Sequence, residues 1–462
     1  MKKEIMFCGT ASGVGKTLLA AGFCRLLARR GLKVAPFKAQ NMSLNSIVTK
    51  NGEEISIAQA LQAFAAFVEP DVRMNPILIK PDSGKSYIIR MGRFFKTVSY
   101  KEYYTYFDEH FKIAKQAFDS LKEEFDYVVL EGAGSPAEIN LQQFDFVNMK
   151  MADYAGANVF VVGDIDRGGV FAHLKGTYDL IEDRYKHLVK GFIINKFRGD
   201  IELLKPAFDR FKEFVDVKII GVVPYLDITL EDEDSLSLNQ KSSGKIKLCI
   251  IRLPHMSNFS DFLAFNYLKD VSVCYINSPQ QLEDCDAVII PGSKNPLFDL
   301  EFLKKQKLVD AIVKLKGHLP IVGICGGFQL LGKTISNKRA LGLLEMDTQF
   351  LDSKVLVRKR YETLEDFGCK VVEGYEIHHG VSYLSGAKNL LKDDGVCVFD
   401  EKNKIIGTYL HGFFSNSCVL KWFFSLIGKE VEDLDLFEQK NKQLDMLAET
   451  IEQCMDVEAI IG

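Results

Sequence analysis

Four runs rich in Val and Ile recur between segments of helical length: YVVLEGAG after Asp126, NVFVVGDID after Ala157, GFIINKFRG after Lys190 and VKIIGVVPY after Asp216. A strand with one face in water alternates apolar and polar residues. These runs are apolar throughout, so both of their faces are covered. Strands of that kind pair in parallel through helical crossovers, which makes the first half of the chain a doubly wound α/β domain. From Leu230 the sequence turns polar and acidic, LEDEDSLSLNQKSSGK, with no apolar period. The strand pattern then resumes in IKLCIIR, DAVIIPGSKNP and LPIVGICGGFQLLG, followed by the β-like CKVVEGYEIH and KIIGTYLHGFF. With 462 residues the chain is too long for one ordinary core. The expected organisation is an α/β domain at 1–230, a linker at 231–245, a second doubly wound α/β domain at 246–430 and a helical segment at 431–462.

Composition narrows the partners. A formal net charge of −4 gives no basic field for nucleic acid, and no apolar run approaches the roughly 18 residues of a membrane span. The start MKKEIMFCGT leads straight into a glycine-rich motif, without the apolar core of a signal peptide. The expectation is a cytoplasmic protein acting on small molecules, with no nucleic-acid or membrane partner and an oligomeric state left open. Ten cysteines lie scattered without C-x-x-C spacing, which suggests neither a zinc ribbon nor a disulfide framework, and most are expected to be buried small hydrophobes.

The stretch CGTASGVGKT, Cys8 to Thr17, stands between an apolar run and the helix-like LLAAGFCRLLARR. Strand, glycine loop and helix in that order make a phosphate cradle, with backbone N–H groups and the positive end of the helix dipole facing an anion. Gly9, Thr10, Gly13, Gly15, Lys16 and Thr17 are the candidate ATP-binding residues. The first glycine of the strict template falls on Thr10, and Gly9 makes the loop one residue longer. Thr17 and Glu131, the latter at the carboxyl end of a buried strand, are candidate Mg²⁺ ligands, because a buried unpaired carboxylate is costly and a cation relieves it. Asp164 and Asp166 end the next strand and are candidates for metal or substrate contact, with helix capping or pairing to Arg167 as the alternative.

One cysteine differs from the other nine. In PIVGICGGFQLLG an apolar strand ends at Cys325, two glycines follow, and a helix continues. A tight strand-to-helix turn exposes a nucleophile, aims N–H groups at a developing oxyanion and favours thiolate. His411 ends an apolar strand late in the same domain and is the candidate base. His378, His379 and Glu376 lie in EGYEIHHG without an assigned role.

The loop GTASGVGKT resembles dethiobiotin synthetase and related ATP-dependent carboxylate-activating enzymes. Partitioning-type relatives carry a further lysine where this chain has Ala11. In the same comparison Asn195, followed by Lys196, resembles the adenine-contacting asparagine. GICGGFQ resembles the class I glutamine amidotransferases, which implies a thioester at Cys325, oxyanion glycines at Gly326 and Gly292, and glutamine positioning by Gln329. Many members of that class have a carboxylate two residues after the histidine. Here Phe413 stands there, so the third triad member is left open, a Cys–His dyad being one of the alternatives.

Taken in order, PFKAQNMSLNS, MNPILIKP, LEGAGSPAEINL, DIDRGGVFAHLKGT, NKFRGD and RLPHMSNFSDF resemble the cobyric acid synthase family over nearly the whole chain. The resemblance implies ATP- and glutamine-dependent amidation of the b, d, e and g carboxylates of adenosylcobyrinic acid a,c-diamide, with Mg²⁺. Gln40, Asn41, Ser43 and Asn45, in an amide-rich stretch, are candidate substrate contacts. The alternatives are cobyrinic acid a,c-diamide synthase and, from another class, a nucleotide-switch ATPase with a vestigial glutaminase domain.

Overall fold

The computed structural model describes residues 4–82, 84–231, 241, 244–364 and 368–461, so most of the expected linker lies outside the described residues. The chain divides into two compact units. The first comprises Met1–Ser43, Ile55–Ile228 and Lys440–Gly462, and the second Leu44–Glu54 and Thr229–Gln439. Two stretches thus differ from the linear division read from the sequence. Leu44–Glu54 is an excursion into the second unit, and the chain's last residues complete the first.

The first unit is built on six strands: β1 (Ile5–Gly9), β2 (Val34–Phe37), β3 (Tyr127–Glu131), β4 (Asn158–Asp164), β5 (Val189–Phe197) and β6 (Ile219–Pro224). Their order is β6-β5-β4-β1-β3-β2, and every neighbouring pair is parallel. The four Val- and Ile-rich runs form β3 to β6. Because all strands point one way, their carboxyl ends share one edge. The ladder sets Gly9 beside Val162, Phe7 beside Glu131 and Asp164 beside Asn195. Strand order reverses at β1, and such a switch point opens a crevice for ligand. Ile5, Met6, Phe7 and Cys8 are fully buried, as a central strand covered on both faces requires.

Helix α1 (Lys16–Arg29) packs Leu19, Ala20, Phe23, Leu26 and Leu27 inward. Helix α2 (Ile57–Ala65) is capped by Ser56, whose hydroxyl accepts from the Ala58 N–H. The terminal helix Leu436–Cys454 buries Leu444, Leu447, Ala448 and Ile451, an i, i+3, i+4, i+7 stripe. Leu447 and Ile451 lie over Gly22 of α1, and the buried Arg25 donates to Asn441 Oδ1 at 2.7 Å. No helix among the described residues is long and apolar enough to cross a membrane.

The second unit has strands β7 (Ile246–Ile251), β8 (Val271–Ile276), β9 (Ala287–Ile290), β10 (Ile321–Ile324), β11 (Met346–Glu362), β12 (Val371–Leu384), β13 (Lys388–Asn389), β14 (Cys397–Asp400), β15 (Ile405–Thr408) and β16 (Leu410–His411). One sheet runs β8-β7-β9-β10-β15-β14-β13, parallel up to β15 and antiparallel beyond it. The long β11–β12 hairpin belongs to a second sheet and carries β16 on its edge. Both units are therefore α/β. The cysteines depart from expectation: Cys249 is bonded to Cys285 and Cys369 to Cys418. The spacings of 36 and 49 residues gave no sign of these pairs, which depend on segments distant in sequence meeting in space.

Candidate active sites

In the first unit β1 ends at Gly9, and the loop that follows enters α1 through Gly15 at φ 99°. A side chain at Gly15 would meet strain from that backbone angle and a Cβ 2.2 Å from Asn195 Nδ2. The loop is held from the side by β5. Asn195 Nδ2 donates to Val14 O at 2.8 Å, and Lys196 Nζ donates to Gly13 O at 2.7 Å while pairing with Asp164 at 2.9 Å. Lys16 folds over the loop onto Ala11 O (2.9 Å) and Gly134 O (3.1 Å).

Glu131 is almost fully buried but not unpaired. Its Oε1 accepts from Thr17 Oγ1 at 2.9 Å and from Lys38 Nζ at 3.0 Å, and Gln62 Nε2 reaches Oε2 at 2.6 Å. Lys38 follows β2, the strand beside β3, so the two side chains leave neighbouring strands at the same level. A carboxylate in a dry site needs such a counter-charge. The Thr17 hydroxyl and the Glu131 carboxylate are hard oxygen donors that fit Mg²⁺, an ion that completes its shell with water and phosphate. Among the described residues no set of three or more His, Cys, Asp or Glu gathers to hold a metal without them.

In the second unit the turn after β10 places Cys325 at φ 51° and ψ −108°, at the head of helix α3 (Gly326–Leu331). This is a strained angle for a residue with a side chain, of the kind that marks nucleophile elbows. Gly326 is needed because a Cβ there would lie 2.7 Å from Ser293 N. The Gly292–Ser293 turn thus runs alongside the elbow, and Gly292 lies against the His411 ring.

His411, 1% exposed, receives Asp261 at Nδ1 with a distance of 2.8 Å. The other Asp261 oxygen accepts the Gly412 N–H at 2.8 Å. Burial disfavours the imidazolium, yet the Asp261 carboxylate and the nearby Cys325 together push His411 up to about 10. His411 Nε2 has no hydrogen-bond partner among the described residues. A base oriented on one nitrogen and open on the other is ready to exchange a proton with a thiol and then with a leaving group.

Behind the cysteine, Gln329 Nε2 donates to Tyr409 OH at 3.4 Å, and its Oε1 is buried without a hydrogen-bond partner among the described residues. Glu376 accepts from Tyr361 OH (2.8 Å) and lies 3.1 Å from His378 Nε2; the His378 ring stacks on Tyr409 at 3.8 Å. The Cys325 thiol lies 3.6 Å from Ile377 O, between those two residues.

Comparison with known proteins matches both halves. Residues 5–236 match the CobQ/CobB/MinD/ParA nucleotide binding domain, and residues 247–419 the CobB/CobQ-like glutamine amidotransferase domain. The cobyric acid synthase of Caldanaerobacter subterraneus subsp. tengcongensis is 41% identical, over 100% of this chain and 98% of that one. The chain belongs to the cobyric acid synthase family. A second member, from Clostridium botulinum (strain ATCC 19397 / Type A), is 42% identical over 99% of this chain and 98% of its own. Solved structures align only loosely. One titled as a glutamine amidotransferase has 20% identity, covers 39% of this chain and 99% of that one, and has a TM-score of 0.33. PurLQS from Thermotoga maritima has 16% identity, covers 45% and 99%, and has a TM-score of 0.30.

As a member of the cobyric acid synthase family, the chain is an ATP-dependent, glutamine-dependent amide-forming synthase. The residues singled out from sequence fall into separate groups. Gly9, Gly13, Gly15, Lys16, Thr17, Glu131, Asp164 and Asn195 gather at the β1 edge. Asp166 is turned to Arg198 at 3.0 Å. Asn41 spends its amide on Ser56 and Gln59, and Gln40 accepts from Tyr103. Ser43 ends the first unit's segment, whereas Asn45 belongs to the second unit. Cys325, Gly326, Gly292 and His411 come together. Two residues were missed, Lys38 and Asp261. Asp261 stands against His411 where the third triad member was left open, while Phe413 is fully buried apolar core.

Proposed function

We propose that the chain amidates peripheral carboxylates of adenosylcobyrinic acid a,c-diamide, at positions b, d, e and g, to give adenosylcobyric acid. The observation that carries the glutaminase half is Cys325 on its strained turn beside a histidine anchored by Asp261 and open at Nε2. The Cys325 thiolate attacks the side-chain amide carbon of glutamine, and the oxyanion forms against the N–H groups of Gly292 and Gly326. As the C–N bond breaks, His411 gives its proton to the leaving ammonia, and a thioester remains. Water, deprotonated by His411, then hydrolyses the thioester to glutamate.

In the first unit the loop from Gly9 to Thr17 holds the phosphates of ATP. Thr17 and Glu131 would hold Mg²⁺, which would neutralise phosphate charge when bound. The acceptor carboxylate takes the γ-phosphoryl group to become an acyl phosphate, and ammonia displaces phosphate to form the amide. The relatives, named cobyric acid synthases, support a polycarboxylate acceptor, and the stretch Gln40 to Asn45 is its candidate contact.

The test is mass spectrometry of adenosylcobyrinic acid a,c-diamide incubated with the protein, Mg-ATP and amide-¹⁵N glutamine. With unlabelled glutamine in parallel, four successive mass decreases near one unit each are expected. With the ¹⁵N form the label offsets each decrease, so the same amides appear at almost unchanged mass and are told apart by the one-unit difference per amide between the two runs. Both reactions are lost in Cys325→Ser. An unchanged acceptor beside ATP hydrolysis that ignores it would overturn this function, redirecting attention to the a,c-diamide synthase reaction.

A further inference from the structure

The excursion Leu44–Glu54 is fastened into the second unit at two places. At one, Glu54, only 2% exposed, pairs with Lys354 at 2.5 Å and accepts from Ser46 Oγ at 2.8 Å. At the other, the Ser46 peptide is gripped from both sides. Its N–H donates to Asn258 Oδ1 at 3.3 Å, and its carbonyl accepts from the Tyr375 hydroxyl at 3.2 Å. Asn258 Nδ2 closes the triangle by donating to the same hydroxyl at 3.3 Å. The donors and acceptors match: a phenol gives one proton and takes one.

Each arm of that triangle ends at the glutaminase histidine. Tyr375 faces His411 across the β12–β16 ladder, and the two rings stack with centroids 5.3 Å apart and planes 21° apart. Asn258, in the left-handed region at φ 52°, accepts the Asp261 N–H at 3.1 Å. Asp261 is the residue that holds His411 Nδ1. Both groups that fix the imidazole, the stacked ring and the anchoring carboxylate, are thus tied to one peptide. That peptide lies three residues after Ser43, in the stretch assigned above to acceptor recognition.

We propose that Leu44–Glu54 is an actuator of glutamine hydrolysis, in which the position of Ser46 sets, through Tyr375 and the Asn258–Asp261 turn, the alignment of His411 with Cys325. Occupation of the preceding Gln40–Ser43 stretch by the acceptor is the event that moves it, the pull travelling along the chain itself. Tyr375 and Asn258 are positioning residues, since they act through His411 and Asp261. The proposal rests on the function assigned above, and it adds the residues through which acceptor occupation reaches His411.

The experiment uses the full chain with Tyr375→Phe, which keeps the ring and removes the hydroxyl. Asn258→Asp is the second variant; it keeps the left-handed turn and the acceptor for Ser46 N–H but removes the amide donor. Glutamate release is measured with and without Mg-ATP plus adenosylcobyrinic acid a,c-diamide, separating kcat from KM. Amidation from ammonium chloride is measured alongside. Wild-type hydrolysis is expected to rise about tenfold with acceptor, a common size for coupling between sites. In both variants the ratio is expected to fall below about twofold, through kcat, with ammonium-supported amidation unchanged. A merely structural role lowers hydrolysis equally with and without acceptor and overturns the proposal, as does a retained wild-type ratio. Cys325-dependent hydrolysis in wild type that ignores the acceptor overturns the actuator alone. No Cys325-dependent hydrolysis under any condition is instead a failure of the assigned function.

Discussion

Replacing Asp261 by Asn tests the assignment of the glutaminase site most directly. In the wild type Asp261 meets His411 Nδ1 at 2.8 Å in a site where both side chains are almost wholly buried. His411 rises from 6.5 to about 10 against the opposing effect of burial. At 1.36 kcal/mol for each tenfold change, that rise is about 5 kcal/mol of imidazolium stabilisation, shared between Asp261 and Cys325. An asparagine that keeps its oxygen on the Gly412 N–H presents its NH₂ to His411 Nδ1. The imidazole then carries its proton on Nε2, the nitrogen that must accept from the thiol. Glutamate release should fall about 10²–10⁴-fold in kcat/KM, as expected when a base loses its orienting carboxylate. The alkaline limb of the pH profile should move downward by two or more pH units, because burial now prevails. The stability counterpart has a definite sign. A histidine raised in the folded state stabilises fully below pH 6.5, and that contribution is lost as pH climbs from 6.5 towards 10. The variant should be flatter in that window by thermal melting. A rate within twofold of wild type and an unmoved alkaline limb would refute the role of Asp261.

Lys38→Met removes the counter-charge of a buried carboxylate and should cost about 3–5 kcal/mol in denaturant unfolding of the full chain. Adding Glu131→Gln should recover most of it, and a loss under about 1 kcal/mol in the single variant would argue against the pair. His110→Phe should raise the melting temperature by a few degrees, since both ring nitrogens, amid aromatic neighbours, are buried without a hydrogen-bond partner among the described residues, and such groups cost about 1–3 kcal/mol. Burial, with Arg90 nearby, pushes His110 down to about 4, so the wild type loses stability as pH falls from 6.5 towards 4 and the variant should not. Gly15→Ala, with a Cβ 2.2 Å from Asn195 Nδ2, should weaken Mg-ATP binding by at least about tenfold in calorimetry while Cys325-dependent glutamine hydrolysis persists; unchanged affinity would mean that the loop holds no phosphate.

What could be read from the sequence was what lies close along the chain. The apolar runs announce β3 to β6, because a strand covered on both faces declares itself residue by residue. Cys325 could be found because strand, cysteine and two glycines are consecutive. Asp261 could not, since it sits 150 positions from His411 on the short turn Phe259–Phe262 and meets it only when β16 is placed. The search for an acid two residues after the histidine ended at Phe413, which is core. Lys38 escaped for a similar reason. Glu131 looked like an unpaired carboxylate until strand order put β2 beside β3. The excursion at 44–54, the placement of the last residues and the two disulfides are likewise products of topology, which local pattern does not encode.

The terminal helix has a consequence for how the molecule is made. Leu444, Leu447, Ala448 and Ile451 close over α1, whose residues leave the ribosome more than 400 positions earlier. During synthesis Gly22 and Arg25 of α1 therefore stay uncovered until that helix has been made, after every strand of the sheet built from β7 to β15, the last of which ends at Thr408. The half whose strands are made first is thus the one covered last.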